Sequence, residues 1–447
     1  MMKISPSRVA AALLCTAASA AFAAATPEDA DKLKTTLTPV GAERAGNQAG
    51  TIPAWNGSVV KAPAGSSGAF PDLFPQEKPV LEITAANAAQ HKDKLSEGTL
   101  ALLAKFPTYK VQVYPTHRTA VYQPFIYERT AQNALKTTLS ADGTYVENYV
   151  GGVPFPIPKS GNEVILNHQY HPRPCASETS FNNVVISSNG ASSVASSGKT
   201  WNQFPYYCAE QKPNPDRIWA LTRNAIEGPS YKAGEALLIT DKVAPAASSR
   251  AAWQYLVGQR RVRRAPNVGY DTPDFIASGT NYFDEIGGFL APIDRFDWKL
   301  VGKQEMYVPY NNHRLFNAKV SEAIVKDHVN PSLMRWELHR VWVLEATVAA
   351  GKRHVVPKRR LYIDEDSWTV MLVDGYDASG KLWRASQVPN ALLPDASGFT
   401  QDSVFVYNLQ ASTMSAVLGF FGGYFKSIPP KPDDFYGPDA VASDAQR

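Results

Sequence analysis

The chain has 447 residues, a formal charge of +4, 44% hydrophobic and 19% charged residues, and 11% Phe, Trp and Tyr. This is a globular composition with enough apolar material for a large core, and it excludes a chain that is disordered throughout. So small a net charge lacks the broad basic field that phosphate-backbone binding needs, which sets nucleic acid aside as a partner.

Lys3 and Arg8 precede an apolar stretch from Val9 to Ala21 followed by small residues, the order of a secretory signal peptide over residues 1–25. Ala21-Phe22-Ala23 and Ala23-Ala24-Ala25 both fit the cleavage rule. The mature chain is expected to start between Ala24 and Thr26, soluble in the periplasm with a charge of +2 once Lys3 and Arg8 are gone. Residues 26–106 read as a helical and irregular extension packed on the main domain. A short helix is expected from Pro27 to Leu37, an irregular Gly-, Pro- and Ser-rich run over Val40–Pro79, a helix capped by Thr84 over Ala85–Leu95, and another from Gly98 to Lys105.

The main domain is expected over residues 107–430. Pro124 suits a first helical position, for a helix reaching about Leu139. Beyond it, period two dominates. Cys175 and Cys208, the two cysteines left after export, are expected to pair in an oxidising compartment. RIWALTRNAIEGPSYKAGEALLIT reads as a hairpin across Glu227-Gly228-Pro229. In AAWQYLVGQRRVRRAP, read as one strand, Trp253 and Tyr255 share a parity with Arg261 and Arg263, so an apolar face ends in charge about 27 Å from Trp253. Arg261 and Arg263 then either hold an anionic head group or an acidic partner surface, or end as solvated charges or pairs with acids such as Asp284 and Glu285.

Alternation continues through Trp298, Leu300, Met306 and Val308. MRWELHRVWVLEAT places Met334, Trp336, Leu338, Trp342, Leu344 and Ala346 on one face and Arg335, Glu337, His339 and Glu345 on the other. Arg340 falls on the apolar face, so it is expected to have a carboxylate partner or a place at a groove mouth. RRLYIDEDSWTVMLVDGYDASGKLWRAS reads as three strands, the Asp364-Glu365-Asp366-Ser367 quartet being a solvated turn. Successive strands with short turns make an antiparallel meander. Met414, Val417, Leu418, Phe421 and Phe425 recur at helical spacing, as for a helix lying in the concavity of a curved sheet. Residues 431–447 read as a flexible polar tail.

Catalytic templates are missing: there is no Gly-x-Ser-x-Gly, His-Glu-x-x-His, phosphate loop, Cys-x-x-Cys or dinucleotide fingerprint. His168 and His171 stand three apart near Cys175, but no fourth ligand accompanies them, and no metal or cofactor is expected. For Asp284 with Glu285, or Asp294 with Asp297, the sequence fixes no carboxylate separation, so neither is read as a glycosidase pair. An enzyme is not expected.

GAERAGNQAGTIPAWNG, CAEQKPNPDRIWALTRNAIEG, GQRRVRRAPNVGYDTPDF, DRFDWKLVGKQEMYVPYN and MRWELHRVWVLEATVAAGKRHVVPKRRLYIDEDSWTVMLVDGYD resemble the recurring blocks of a Gram-negative periplasmic family of unassigned function, described as like outer membrane lipoprotein-sorting proteins. The resemblance runs from about Asp29 to Pro430. That family is distantly similar to the LolA and LolB lipoprotein-localisation factors. It implies a mainly β fold, a strongly curved antiparallel half-barrel covered by a few helices, whose cavity holds acyl chains. It also implies a periplasmic partner among the resistance-nodulation-division type exporters. The expected function is a carrier or binding protein for a hydrophobic or amphipathic, lipid-like molecule; the alternative is a docking subunit of an envelope transport complex that holds no ligand. Trp253, Tyr255, Arg261, Arg263, Trp336, Arg340, Trp342, Met414 and Phe421 are the expected ligand-binding residues.

Overall fold

The structure, a computed structural model, describes residues 24–66, 69–266, 268–393, 395, 398–400 and 403–444. The expected signal peptide lies, up to residue 23, outside the described residues. Sixteen strands form one open, mainly β sheet: β1 (Leu81–Ile83), β2 (Val111–Val113), β3 (Ala176–Ile186), β4 (Ser192–Gln203), β5 (Ile218–Gly228), β6 (Ala236–Lys242), β7 (Arg250–Leu256), β8 (Arg261–Arg264), β9 (Phe296–Pro309), β10 (Trp336–Val348), β11 (Lys358–Asp364), β12 (Val370–Tyr376), β13 (Leu382–Gln387), β14 (Val404–Asn408), β15 (Thr413–Gly419) and β16 (Phe425–Ser427). Two antiparallel meanders, β3–β8 and β9–β15, meet where β15 pairs with β3, leaving β8 and β9 as their free ends. Among the described residues, only the Trp336–Val113 bridge is parallel.

Both faces of the second meander are largely buried from β11 to β15, whereas Asp297, Lys299 and Val301 of β9 are exposed. On β14, Phe405 and Tyr407 enter one core while Val404 and Val406 enter another. The expected apolar face of β10 is split: Trp336 and Leu338 join the first core, Trp342, Leu344 and Ala346 the second. A strand of thirteen residues twists past different neighbours along its length, and one parity does not keep one environment.

The expected C-terminal helix is absent. Met414, Val417 and Leu418 belong to β15, between β14 and β3, Phe421 follows in a turn, and Phe425 starts β16. Met414 and Ala416 face one core and Val417 the other, so a strand buried on both sides produced an apolar run whose spacing mimics a helix. The single strand expected through Gln259 also fails. The chain turns over Val257–Gln259, with Arg260 left-handed at φ 50°, and Arg261 pairs back against Leu256. Trp253 therefore sits opposite Arg264. Residues 433–444 are not a free tail. A turn and a helix over Pro438–Asp444 cover β5–β7, with Tyr436 and Val441 buried and Arg223 over the Phe435 ring at 4.4 Å. Three anchoring side chains, Phe435, Tyr436 and Val441, suffice in a segment whose composition is otherwise polar.

Helices α1 (Glu97–Lys105), α2 (Pro124–Lys136) and α3 (Gly161–Gln169) cover the sheet. The Ser96 hydroxyl caps α1, and Asp374 of β12 accepts from the backbone N–H groups of Glu97 and Gly98 at 3.1 and 2.9 Å. A Cβ at Gly98 would lie 2.5 Å from that carboxylate and 2.7 Å from Ala385 Cβ, so only glycine lets the helix sit this close. The helix expected over Ala85–Leu95 begins late, as a 3-10 turn over Ala88–Lys94, because Asn87 Oδ1 accepts from Thr84 N–H and holds a local turn.

The turn between β11 and β12 is the largest departure from the sequence reading. Asp364, Glu365, Asp366 and Ser367 are buried, together with the supposed solvent-side residues Glu337 and His339. Arg118 takes both Asp366 oxygens at 2.7 and 2.8 Å, Lys303 and Arg340 reach Glu365 at 2.7 and 3.3 Å, and Arg335 reaches Glu337 at 2.5 Å. Arg118 also donates to the backbone of Glu43 and Arg340 to that of Ala45, which binds the N-terminal segment to the sheet. His339 stacks on Tyr310 at 3.9 Å between Glu337 and Asp364, 3.2 and 3.4 Å away. Burial pulls the imidazole down, but hydrogen bonds and charge from Asp364 and Glu337 outweigh it and push His339 up to about 9.

A group raised in the folded state stabilises fully below its unfolded value near 6.5 and loses that contribution as pH rises through the folded value. Wild-type protein is therefore expected to lose on the order of 3 kcal/mol between pH 6.5 and 9.5 from His339. His339→Gln should be less stable at pH 6.5 and flatter over that window in urea unfolding followed by circular dichroism; parallel profiles would refute the assignment. Cys175 and Cys208 are bridged across the ends of the β3–β4 hairpin, their Cα atoms 4.5 Å apart. Thiol labelling of denatured, unreduced mature protein should detect no free thiol.

Candidate functional site

The chain from Ala265 to Arg295 joins the free ends of the two meanders, β8 and β9, and its middle is held by buried charge. Asp284 pairs with Arg359 of β11 at 2.9 Å and Glu285 with Arg384 of β13 at 2.5 and 2.7 Å. These acids, weighed as partners for Arg261 and Arg263, are taken by other arginines. Gly288, at φ 90°, presses so closely on β12 that a Cβ would meet Val370 at 2.5 Å.

Between the ends of this segment, the start of β7 and the β10–β11 turn lies a solvent-open cleft of about 1030 Å³. Five basic side chains line it, Arg250, Arg264, Arg295, Lys352 and Arg353, against the acids Asp271 and Asp294. Arg295 pairs with Asp271 at 2.8 Å and lies 3.7 Å over the Tyr270 ring, Lys352 pairs with Asp294 at 2.9 Å, and Arg250 with Asp241 at 2.6 Å. Arg264 and Arg353 are exposed and make no ion pair among the described residues. Ala251, Ala252, Ala265, Val268 and Pro292 add a small apolar wall.

His354 also borders the cleft but offers no general base. Its Nδ1 accepts from Val356 N–H at 3.0 Å, and its Nε2 donates to Asp284 at 2.9 Å. Burial works to raise the Asp284 carboxyl, yet Arg359 and His354 outweigh it and hold it below the usual range. His168 is likewise committed, accepting from Val370 N–H at 3.0 Å and donating to the Phe289 carbonyl at 3.1 Å, and burial pulls it down to about 3. His339, Asp364 and Asp366 offer ligand atoms within 4.8 Å of one another, the arrangement nearest to a metal set among the described residues. Arg118 takes both Asp366 oxygens and His339 neutralises its carboxylate neighbours, so protein cations already occupy that cluster.

None of the nine residues expected to bind ligand lines this cleft. Trp336, Met414 and Phe421 meet in one packed core. Trp342 stacks on Trp368 at 6.1 Å under the Lys303 ammonium, and Arg340 is bound to Glu365 and Glu43. Trp253 and Tyr255 pack beneath Val441, while Arg261 and Arg263 are exposed. The missed residues carried a signal: the basic run Gly351-Lys352-Arg353-His354 lies in a turn, and the cleft sets it near Arg264, the last member of the other basic cluster.

Asp284→Asn would leave Arg359 buried without its counter-charge, at a cost of about 3–5 kcal/mol. Urea unfolding should show that loss, and limited proteolysis should cut the joining segment sooner; an unchanged midpoint would refute the clamp.

The family model described as "Protein of unknown function (DUF1329)" matches residues 82–441. The chain is 39% identical over 372 residues to the uncharacterized protein PA3922 of Pseudomonas aeruginosa, covering 82% of each chain. Among solved structures, it is similar to a DUF1329 family protein from Desulfovibrio piger, with 13% identity, 63% of this chain and 97% of that chain covered, and a TM-score of 0.44. It is also similar to a LolA superfamily protein from Nitrosomonas europaea, with 11% identity, 63% and 100% covered, and a TM-score of 0.36. The chain belongs to the DUF1329 family.

Proposed function

We propose that this protein is a periplasmic binding or carrier protein for an amphipathic molecule with an anionic end, which the cleft receives. The observation that carries the reading is the cleft itself. Its volume of about 1030 Å³ is at the upper end of the range for small-molecule pockets. Arg264 and Arg353 are the cationic groups left to fork onto carboxylate or phosphate oxygens, beside an alanine-rich wall that suits an apolar stem. Burial, not chemistry, does the work, which agrees with the committed ring nitrogens of His354. No helix among the described residues is long and apolar enough to cross a membrane. The sequence resemblance supports a role beside a resistance-nodulation-division type exporter.

The test compares a fluorescent fatty acid with its methyl ester. The acid should bind the mature protein, and Arg264→Glu with Arg353→Glu should weaken it at least tenfold while the ester changes little. Equal losses for both probes would refute head-group recognition. No binding of either, with no lipid extracted from gently purified protein, would favour the docking subunit that holds no ligand.

A further inference from the structure

Three turns of the first meander point the same way. The register Ser197–Gly228 and Ala236–Tyr255 places the β3–β4, β5–β6 and β7–β8 turns at one end of the sheet. At or beside each turn stands one large apolar side chain in solvent: Val194 is 41% exposed, Tyr231 74% and Val257 39%. The last two turns touch, since a Cβ at Gly234 would lie 3.1 Å from Val257 Cγ2. Arg260, Arg261 and Arg263 are exposed on the same rim and form no ion pair among the described residues. Of the acids nearby, the exposed Glu227 is held by Lys199 at 2.8 Å, and Glu235 in the β5–β6 turn is half-buried.

We propose that this rim docks on an anionic lipid surface, the three apolar tips entering the head-group layer and the arginines meeting its phosphates. A protein partner would need a contiguous packed patch of about 800 Å² on each side, whereas separate tips ringed by cations match a fluid, negatively charged interface. The turn tips lie at the opposite end of β7 and β8 from the cleft, and Arg263, next to Arg264, falls on the other face by strand alternation, so the two sites can be tested separately.

Vesicle flotation of the mature protein decides the matter. Vesicles of phosphatidylethanolamine with phosphatidylglycerol should carry the protein, and phosphatidylcholine vesicles should not. At roughly fivefold for each arginine, the triple variant Arg260→Gln, Arg261→Gln, Arg263→Gln should weaken partitioning on the order of a hundredfold. Tyr231→Ser with Val257→Ser should weaken it at least tenfold. Both variants should melt like wild type and still bind the fatty-acid probe. Equal flotation with both lipids, no flotation with either, or undiminished flotation of the variants overturns the proposal. Loss of flotation in Arg353→Glu also overturns it, because that would move the vesicle contact to the cleft.

Discussion

Asp284 and Glu285, buried against Arg359 and Arg384, are the constraint on which the rest of the structure depends. Each buried acid requires its arginine, and each arginine belongs to a strand of the second meander, so the joining chain has one place to lie. With that chain set, its two ends stand beside the start of β7 and the β10–β11 turn, and the cleft exists as the space between them. The cations that line the opening are positioned by the same segment: Asp271 and Asp294, close to its two ends, orient Arg295 and Lys352. Specific pairing, more than net attraction, is what such buried charges contribute.

A second consequence concerns the sheet. Where the second meander is covered on both faces it cannot keep polar residues on a wet side, so those it retains there must be paired. Glu337, His339 and the Asp364–Asp366 turn meet that demand with Arg335 and Arg340 from the same stretch as Glu337 and with Arg118 and Lys303 from elements far away in the sequence. The N-terminal segment is drawn in because its backbone carbonyls complete the guanidinium shells. The network thus does for the N-terminal segment what Asp284 and Glu285 do for the joining chain.

Much of the fold was legible because strand and turn signals are local. Period two in residues 296–308 and 334–348, the turn quartet at 377–380 and the helices expected from Gly98 and from Pro124 all report on near neighbours. What depended on distant coverage was not legible. The stripe at Met414, Val417 and Leu418 has helical spacing only because two cores take its alternate sides. The acidic turn looked solvated because nothing near it in sequence announces Arg118. For the site, the basic cluster was visible, but the left-handed Arg260 reversed the chain within it. That reversal put Arg264 at the cleft and Arg261 and Arg263 on the rim, a division parity alone does not reveal.

The seam between β15 and β3 sets the order in which the molecule can be completed. Strands β3 to β8 can zip from short-range contacts as soon as they are available, and the bridge between Cys175 and Cys208 ties their first hairpin. The other side of β3 has no local partner: Ile186 waits for Met414 and Ser177 for Ser427. During that interval an eleven-residue strand presents open backbone groups, the template on which chains add to one another. The late arrival of the last strands places the aggregation hazard of the incomplete chain at β3.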